Sequence, residues 1–204
     1  FTVSPSDYFN INYDLTGENA PNLTDNNNND IPDYIEQVGI AADSVKFVLI
    51  NQMGFLEPIL TADGNYDIYI EDLGPYFYGL SMAIFLVGGG SYIVIDNEFE
   101  EGEYFTTGNE AMQVTIAHEF FHAIQRNYAT LILGHDKYFW ELSSMWIEDV
   151  IYPDVNDYIY WMDYFLDNPD QDISDYTTND PENDAGYSLA LFGHYLTMVY
   201  DQVE

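Results

Sequence analysis

The segment His118-Glu119-Phe120-Phe121-His122 sets two imidazoles four residues apart, with a carboxylate directly after the first. Residues four apart on a helix point the same way, so both rings can grip one ion. Glu119, one position on from His118, then reaches a water molecule on the open side of that ion. Zinc suits such a pair: it lowers the pKa of bound water towards about 7, where a neighbouring carboxylate can take the proton. The chain holds only four histidines, so two at this spacing around a glutamate form a strong pattern. The alternative is a pair of buried, hydrogen-bonded core histidines.

A catalytic zinc needs a third protein ligand and one position left for water. Glu141 and Glu148 stand out downstream, two turns apart on one helical face. At this point the chain resembles the gluzincin metallopeptidases, the thermolysin and aminopeptidase N group. In the aminopeptidase N branch the third ligand is a Glu separated from the second His by eighteen residues, the spacing of Glu141 from His122. The segment Trp140-Glu141-Leu142-Ser143-Ser144-Met145-Trp146-Ile147-Glu148 is similar to that family's helix, with Trp140 and Leu142 where the family has Asn and Gly. The resemblance implies a zinc site of His118, His122 and Glu141, with Glu119 as general base and Glu148 behind the ligands, orienting an imidazole. It also implies a donor for the oxyanion of the reaction. Tyr187, which opens Tyr187-Ser188-Leu189-Ala190-Leu191-Phe192-Gly193-His194, fills that role, with His194 as the alternative. Gluzincins hold substrate backbone against an edge strand that precedes the zinc helix, and Gly90, Ser91 and Tyr92 lie in that place. The family's Gly-Ala-Met-Glu-Asn segment, which grips a free amino terminus, has no counterpart, so an endopeptidase is expected over an aminopeptidase.

Asp25 to Glu36 reads as a twelve-residue calcium loop. Oxygen-bearing side chains fall at positions one, three, five, nine and twelve, namely Asp25, Asn27, Asn29, Asp33 and Glu36, and the Ile31 carbonyl supplies position seven. Asp30 stands at position six, where Gly usually makes the sharp turn; Asp reaches the left-handed conformation at some cost. An Asn-rich turn and helix N-cap is the alternative. The loop, the zinc motif, Trp146-Ile147-Glu148-Asp149 and Tyr152-Pro153-Asp154-Val155-Asn156-Asp157-Tyr158 together resemble a set of secreted bacterial and archaeal metalloproteases, over residues 25 to about 196. That resemblance and the calcium loop imply an extracellular protein.

These residues need elements to hold them. After Pro32, apolar residues at Ile35, Val38, Ala42, Val45, Leu49 and Met53 predict an amphipathic helix that Gly54 stops. Alternation predicts strands over Tyr66–Ile70 and Ser91–Asp96, with a third across Leu80–Val87 and a turn at Gly88-Gly89-Gly90. Residues 1–30 read as a polar, Asn-rich stretch. Thr107-Gly108-Asn109-Glu110 fits a capping box that starts the zinc helix, which runs to about Arg126. Further helices are predicted over Tyr138–Val150, Val155–Leu166 and Tyr187–Tyr200, with an acidic loop over Asp167–Asp184 and a turn at Asp63-Gly64-Asn65. His135 reads as a solvated loop histidine. The expected fold is α+β of thermolysin-like type: a calcium loop, helix and small mixed sheet over 1–105, and a mainly helical half over 106–204, in one catalytic domain.

Composition sets the remaining limits. The 204 residues carry 36 acids against Lys46, Arg126 and Lys137, a formal net charge of -33. Nothing could neutralise phosphates, so nucleic acid and anionic membrane are excluded as partners. Such a charge repels itself and calls for screening by salt or bound cations. An aromatic fraction of 17% belongs to a folded body, not a disordered acidic tail. With no Cys there is neither a disulfide nor a thiolate zinc site. The start at Phe1 and a last helix reaching almost to Glu204 suggest a trimmed or excised chain. The expectation is a monomeric zinc endopeptidase acting on polypeptides and stabilised by calcium. The alternative is an inactive metallopeptidase-like binding or cell-surface module with structural zinc.

Overall fold

The computed structural model describes residues 1–75, 77–84, 90–100, 102, 104–128, 137–173 and 186–200. It divides into two units, Phe1–Tyr128 and Ala129–Glu204.

In the first unit, period-two alternation builds an open five-stranded mixed sheet. The strands are β1 (Thr2–Val3), β2 (Phe9–Asn12), β3 (Tyr66–Glu71), β4 (Gly79–Ile84) and β5 (Gly90–Asp96), in spatial order β1-β2-β3-β5-β4. β3 runs parallel to both β2 and β5, while β1 and β4 are antiparallel to their neighbours. Tyr66, Ile68 and Ile70 of β3 and Ile93 and Ile95 of β5 point to one face and are almost wholly buried. Two helices cover strands of this sheet: α1 (Asp33–Lys46) packs on β2, and α2 (Gly108–Tyr128) packs on β4, β5 and α1. Parallel pairing needs a crossover, and α1 supplies it between β2 and β3. Gly39 lets α1 come close, because a Cβ there would stand 3.1 Å from the Ile11 side chain.

The predicted first helix keeps its stripe (Ile35, Val38, Ala42, Val45, Leu49), but after Lys46 the backbone widens to a π-helical turn over Phe47–Gln52. Gly54 ends it with a positive φ of 77°. Two strands were not anticipated. β1 and β2 lie inside the stretch read as polar: Phe9 and Ile11 are buried, and the asparagines between and after them concealed the alternation. The predicted strand Leu80–Val87 is β4, shifted one residue earlier; residues 85–89, with most of the Gly88-Gly89-Gly90 turn, lie outside the described residues. α2 begins directly after Thr107, as the capping-box spacing requires.

The second unit holds α3 (Lys137–Ile151), α4 (Met162–Asp167) and α5 (Ala190–Tyr200). The segment predicted as one helix over Val155–Leu166 is a 3-10 turn, Asp157–Trp161, followed by α4, and it opens on Asn156 in the left-handed region at φ 58°. Tyr187–Leu189 is likewise a 3-10 turn before α5. Leu142 and Leu189 form the core here, surrounded by Tyr138, Tyr164, Phe165 and Ile173. Gly193 presses on the Trp146 ring, where any side chain would collide, so α5 packs on α3 at backbone range. No helix among the described residues is long and apolar enough to cross a membrane.

Phe120 couples α2 to the sheet: it is fully buried, with its ring centroid 5.2 Å from that of Phe9 and 5.3 Å from that of Tyr66, edge to face. Phe120→Ala removes this triple contact and should lower the unfolding free energy by about 3–5 kcal/mol in urea denaturation.

Candidate metal centre

α2 is buried along almost its whole middle, from Ala111 to Ile124. Ile116, Phe120 and Ile124, four apart, turn one row into the apolar interior. That packing fixes the helix's rotation, so its polar row is fixed as well. His118, Glu119 and His122 are 7%, 8% and 9% exposed. The two imidazoles stand on adjacent turns with ring centroids 4.7 Å apart and planes at 85°.

Gln125 stands beside one ring nitrogen of His122. Its Oε1 lies 2.7 Å from His122 Nδ1. An amide oxygen only accepts, so Nδ1 carries the proton and donates, which leaves the Nε2 lone pair for a metal. The signal for Gln125 in the sequence is its place three residues after His122, within reach on a helix.

His118, His122 and Glu141 each offer one ligand atom, and the three atoms lie within 4.8 Å of one another. A tetrahedral zinc shell with bonds of about 2.0–2.1 Å sets its ligand atoms roughly 3.4 Å apart, so this donor set can hold a metal ion after small side-chain rotations. Glu148, two turns further along α3, is 5% exposed and is not a solvated helix charge.

Other groups cluster around Glu119 within the first unit. Gly79 of β4 stands so close to α2 that a Cβ there would lie 2.7 Å from Thr115 and 2.9 Å from Glu119 Cγ. Arg126 donates from Nη2 to the Ser81 carbonyl at 2.8 Å. Burial draws its guanidinium below the ordinary value, while the charges of Tyr66 and Glu119 pull it back up. The Tyr66 hydroxyl, 2.9 Å from Ser91 Oγ, is raised far above the usual phenol range by burial. Gly79 and Arg126 were not singled out from sequence as site residues. A cation seven residues after Glu119, in a chain with three cations, was the available signal.

One expected site residue set is corrected. β5 is an interior strand: Gly90, Ser91 and Tyr92 pair with Ile84, Ala83 and Met82 of β4, and Ile93 onward pairs with β3. Gly90, Ser91 and Tyr92 therefore lie on no edge; the outermost strand on this side is β4. Edge or interior position is a matter of long-range pairing, which local alternation does not encode.

In the second unit, the Tyr187 ring packs on Trp161 with centroids 5.1 Å apart. His194 Nε2 lies 3.3 Å from Asp149 Oδ2, and the His194 ring is 5.3 Å from that of Tyr158. Burial raises the Asp149 carboxyl above its usual range, and His194 pulls it down. His194 is thus paired with a carboxylate and stands outside the three-ligand group.

The Asp25–Glu36 loop is closed by its own hydrogen bonds. The Asp25 carboxylate accepts the backbone N–H groups of Asn28, Asn29 and Asp30 at 2.8, 3.3 and 2.9 Å. The side-chain amides of Asn27 and Asn29 both donate to Glu36, at 2.8 and 2.7 Å. Asp33 accepts from the Asn26 backbone at 3.1 Å and from its amide. Asp30 adopts the left-handed conformation at φ 68°. Asp63-Gly64-Asn65 is the expected turn, and bonds from Thr61 and Asn10 lead in holding the Asp63 carboxyl below its usual range. His135 lies outside the described residues.

Comparison of the chain with protein-family models, with curated proteins and with solved structures found no match. The metal centre's own geometry supplies a test. Gln125→Leu frees the His122 ring to turn and to place its proton on either nitrogen. It should weaken metal affinity about 10- to 100-fold in competition with a chromogenic chelator, with far-UV circular dichroism unchanged.

Proposed function

We propose that this chain is a zinc-dependent endopeptidase of gluzincin type, with a thermolysin-like arrangement of sheet, zinc helix and glutamate-bearing helix, acting on polypeptides outside the cell. The observation that carries the reading is the convergence of two imidazoles and one carboxylate, with Glu119 directly beside the first imidazole. His118, His122 and Glu141 would hold the ion, with Glu148 as a supporting acid behind them. Bound there, zinc supplies Lewis acidity toward a substrate carbonyl and toward water.

The remaining work belongs to the chain. Glu119 takes the proton of the attacking water and returns it to the leaving amine. Its burial supports this role, because a carboxylate shielded from bulk solvent holds a defined position. His194 or Tyr187 would donate to the developing oxyanion; the Asp149 carboxylate 3.3 Å from His194 Nε2 favours His194. Substrate would add as an extended strand to β4, the strand at the sheet's margin and the one whose Gly79 touches Glu119. Main-chain pairing at a sheet margin accepts any stretch of extended chain, which favours internal cleavage.

Calcium belongs to the same proposal, with a structural role. Asn27, Asn29 and Glu36 already converge, and rotating the two amides by half a turn would present oxygens in place of N–H groups.

Glu119→Gln should keep zinc at one equivalent and lower the rate of casein cleavage about a thousandfold. A wild type that binds zinc but leaves casein intact would instead identify a binding module with structural metal. Calcium at a hundred times its dissociation constant should stabilise the fold by about 2.7 kcal/mol in thermal denaturation, an effect lost in Glu36→Gln. No calcium-dependent shift in wild type would remove calcium from the proposal and leave the zinc chemistry standing.

A further inference from the structure

An antiparallel pair alternates residues that exchange hydrogen bonds with their partner and residues whose main-chain groups turn away from it. The Asp96 N–H donates to the Tyr78 carbonyl at 3.0 Å, and the register then sets Leu80 opposite Val94 and Met82 opposite Tyr92. Tyr78, Leu80 and Met82 therefore bond toward β5. The N–H and C=O groups of Gly79, Ser81 and Ala83 turn outward, to the margin where a further strand would pair.

Two of these three outward residues meet side chains of α2. Gly79 sits against Glu119. Ser81 gives its carbonyl to Arg126 Nη2 at 2.8 Å. Glu119 and Arg126 are seven residues apart, two helical turns or about 10 Å, and Gly79 and Ser81 are two strand residues apart, about 7 Å. Strand and helix thus run side by side, with the carboxylate at one outward position and the guanidinium at the next. In a chain with three cations and 36 acids, one cation is spent on a main-chain carbonyl.

We propose that Arg126 is a specificity-determining residue: by holding the outward carbonyl of Ser81 it ends the stretch of β4 on which an extended peptide can pair, so substrate adds at the Gly79 end, beside Glu119. This rests on the peptidase reading. A carbonyl already bonded to a charged donor is a poor acceptor for a peptide N–H, since exchanging a charge-assisted bond for a neutral one shifts an equilibrium about ten- to a hundredfold. A peptide sliding along β4 therefore finds one register favoured, and that register brings its backbone past the general base. In this role Arg126 selects which peptide bond arrives.

The test is a cleavage map. Zinc-loaded wild type, Arg126→Met and Arg126→Lys digest casein at matched zinc content, and fragment ends are assigned by mass spectrometry. Arg126→Met should cut at about threefold more distinct positions, because the register is loosened. Arg126→Lys, which keeps a charged donor, should move the map back toward wild type. Should Arg126→Met not fold, Arg126→Gln, too short to hold Ser81 and uncharged, gives the same reading. An active wild type whose map is unchanged in the variants overturns this proposal alone and reduces Arg126 to edge protection against other chains. A wild type that leaves casein intact overturns the peptidase reading and this proposal with it.

Discussion

A helix that carries two imidazoles and a carboxylate on one face must be immobilised by its other faces, and here that is done with aromatic edges. Phe120 meets Phe9 and Tyr66, and Phe121 meets Phe55 at a centroid distance of 5.3 Å, each edge to face. Such pairs resist rotation because the positive edge of one ring seeks the negative face of the next. Turning α2 by one residue, about 100°, would pull both phenylalanines out of these seats. His118 and His122 thus inherit their direction from residues inside their own motif. The two positions between Glu119 and His122 are free in chemical terms, and this chain uses both as anchors.

Acidity is handled differently from the way a salt-bridged protein would handle it. With 36 acids and three cations, pairing is arithmetically impossible, so carboxylates are satisfied by N–H and O–H donors. Asp43 accepts from the hydroxyls of Ser4 and Ser6 and the Ser6 backbone, tying the start of the chain to α1. Asp96, 2% exposed, accepts the N–H groups of Leu73 and Glu98 and secures the loops after β3 and β5. Asp25 does the same inside its own loop. Hydrogen bonds to charged acceptors contribute about 1.5–3 kcal/mol each, and unlike ion pairs between mobile side chains they fix backbone. The acids therefore serve as turn and loop staples, in a chain that has no disulfides.

Much of this was legible in sequence, and what was not has a physical cause. Local signals held: the stripe from Ile35 to Leu49, the alternation from Tyr66, the capping-box start of α2 and the left-handed Asp30 all depend on neighbours in sequence. The three-residue metal group was anticipated through the spacing of Glu141. Failures came where long-range pairing decides. Phe9 and Ile11 become strand residues only because β3 is there to pair with, and no local pattern of four residues carries that. The edge position of Gly90, Ser91 and Tyr92 was taken from the family resemblance, whereas here β4 pairs on the far side of β5. Gln125, Gly79 and Arg126 matter through geometry: one by reaching back a turn, one by lacking a side chain, one by crossing to another element's main chain.

The proposed pair of metals also follows from how donors are distributed. A surface this negative raises the local concentration of every divalent cation without distinguishing among them. Discrimination is left to donor type. Among the described residues, two imidazoles share one helix face, on α2, where the Gln125 oxygen that accepts from His122 fixes one of them; nitrogen donors of this kind suit zinc better than calcium or magnesium. The proposed calcium loop, Asp25–Glu36, carries oxygen-bearing side chains, the donor type that suits the larger, harder ion. In the proposed reading the general electrostatic field gathers cations, and the two local arrangements would sort them. For that reason a lone carboxylate added elsewhere on this surface changes little, while one imidazole moved by a single position on α2 leaves the metal centre without a ligand.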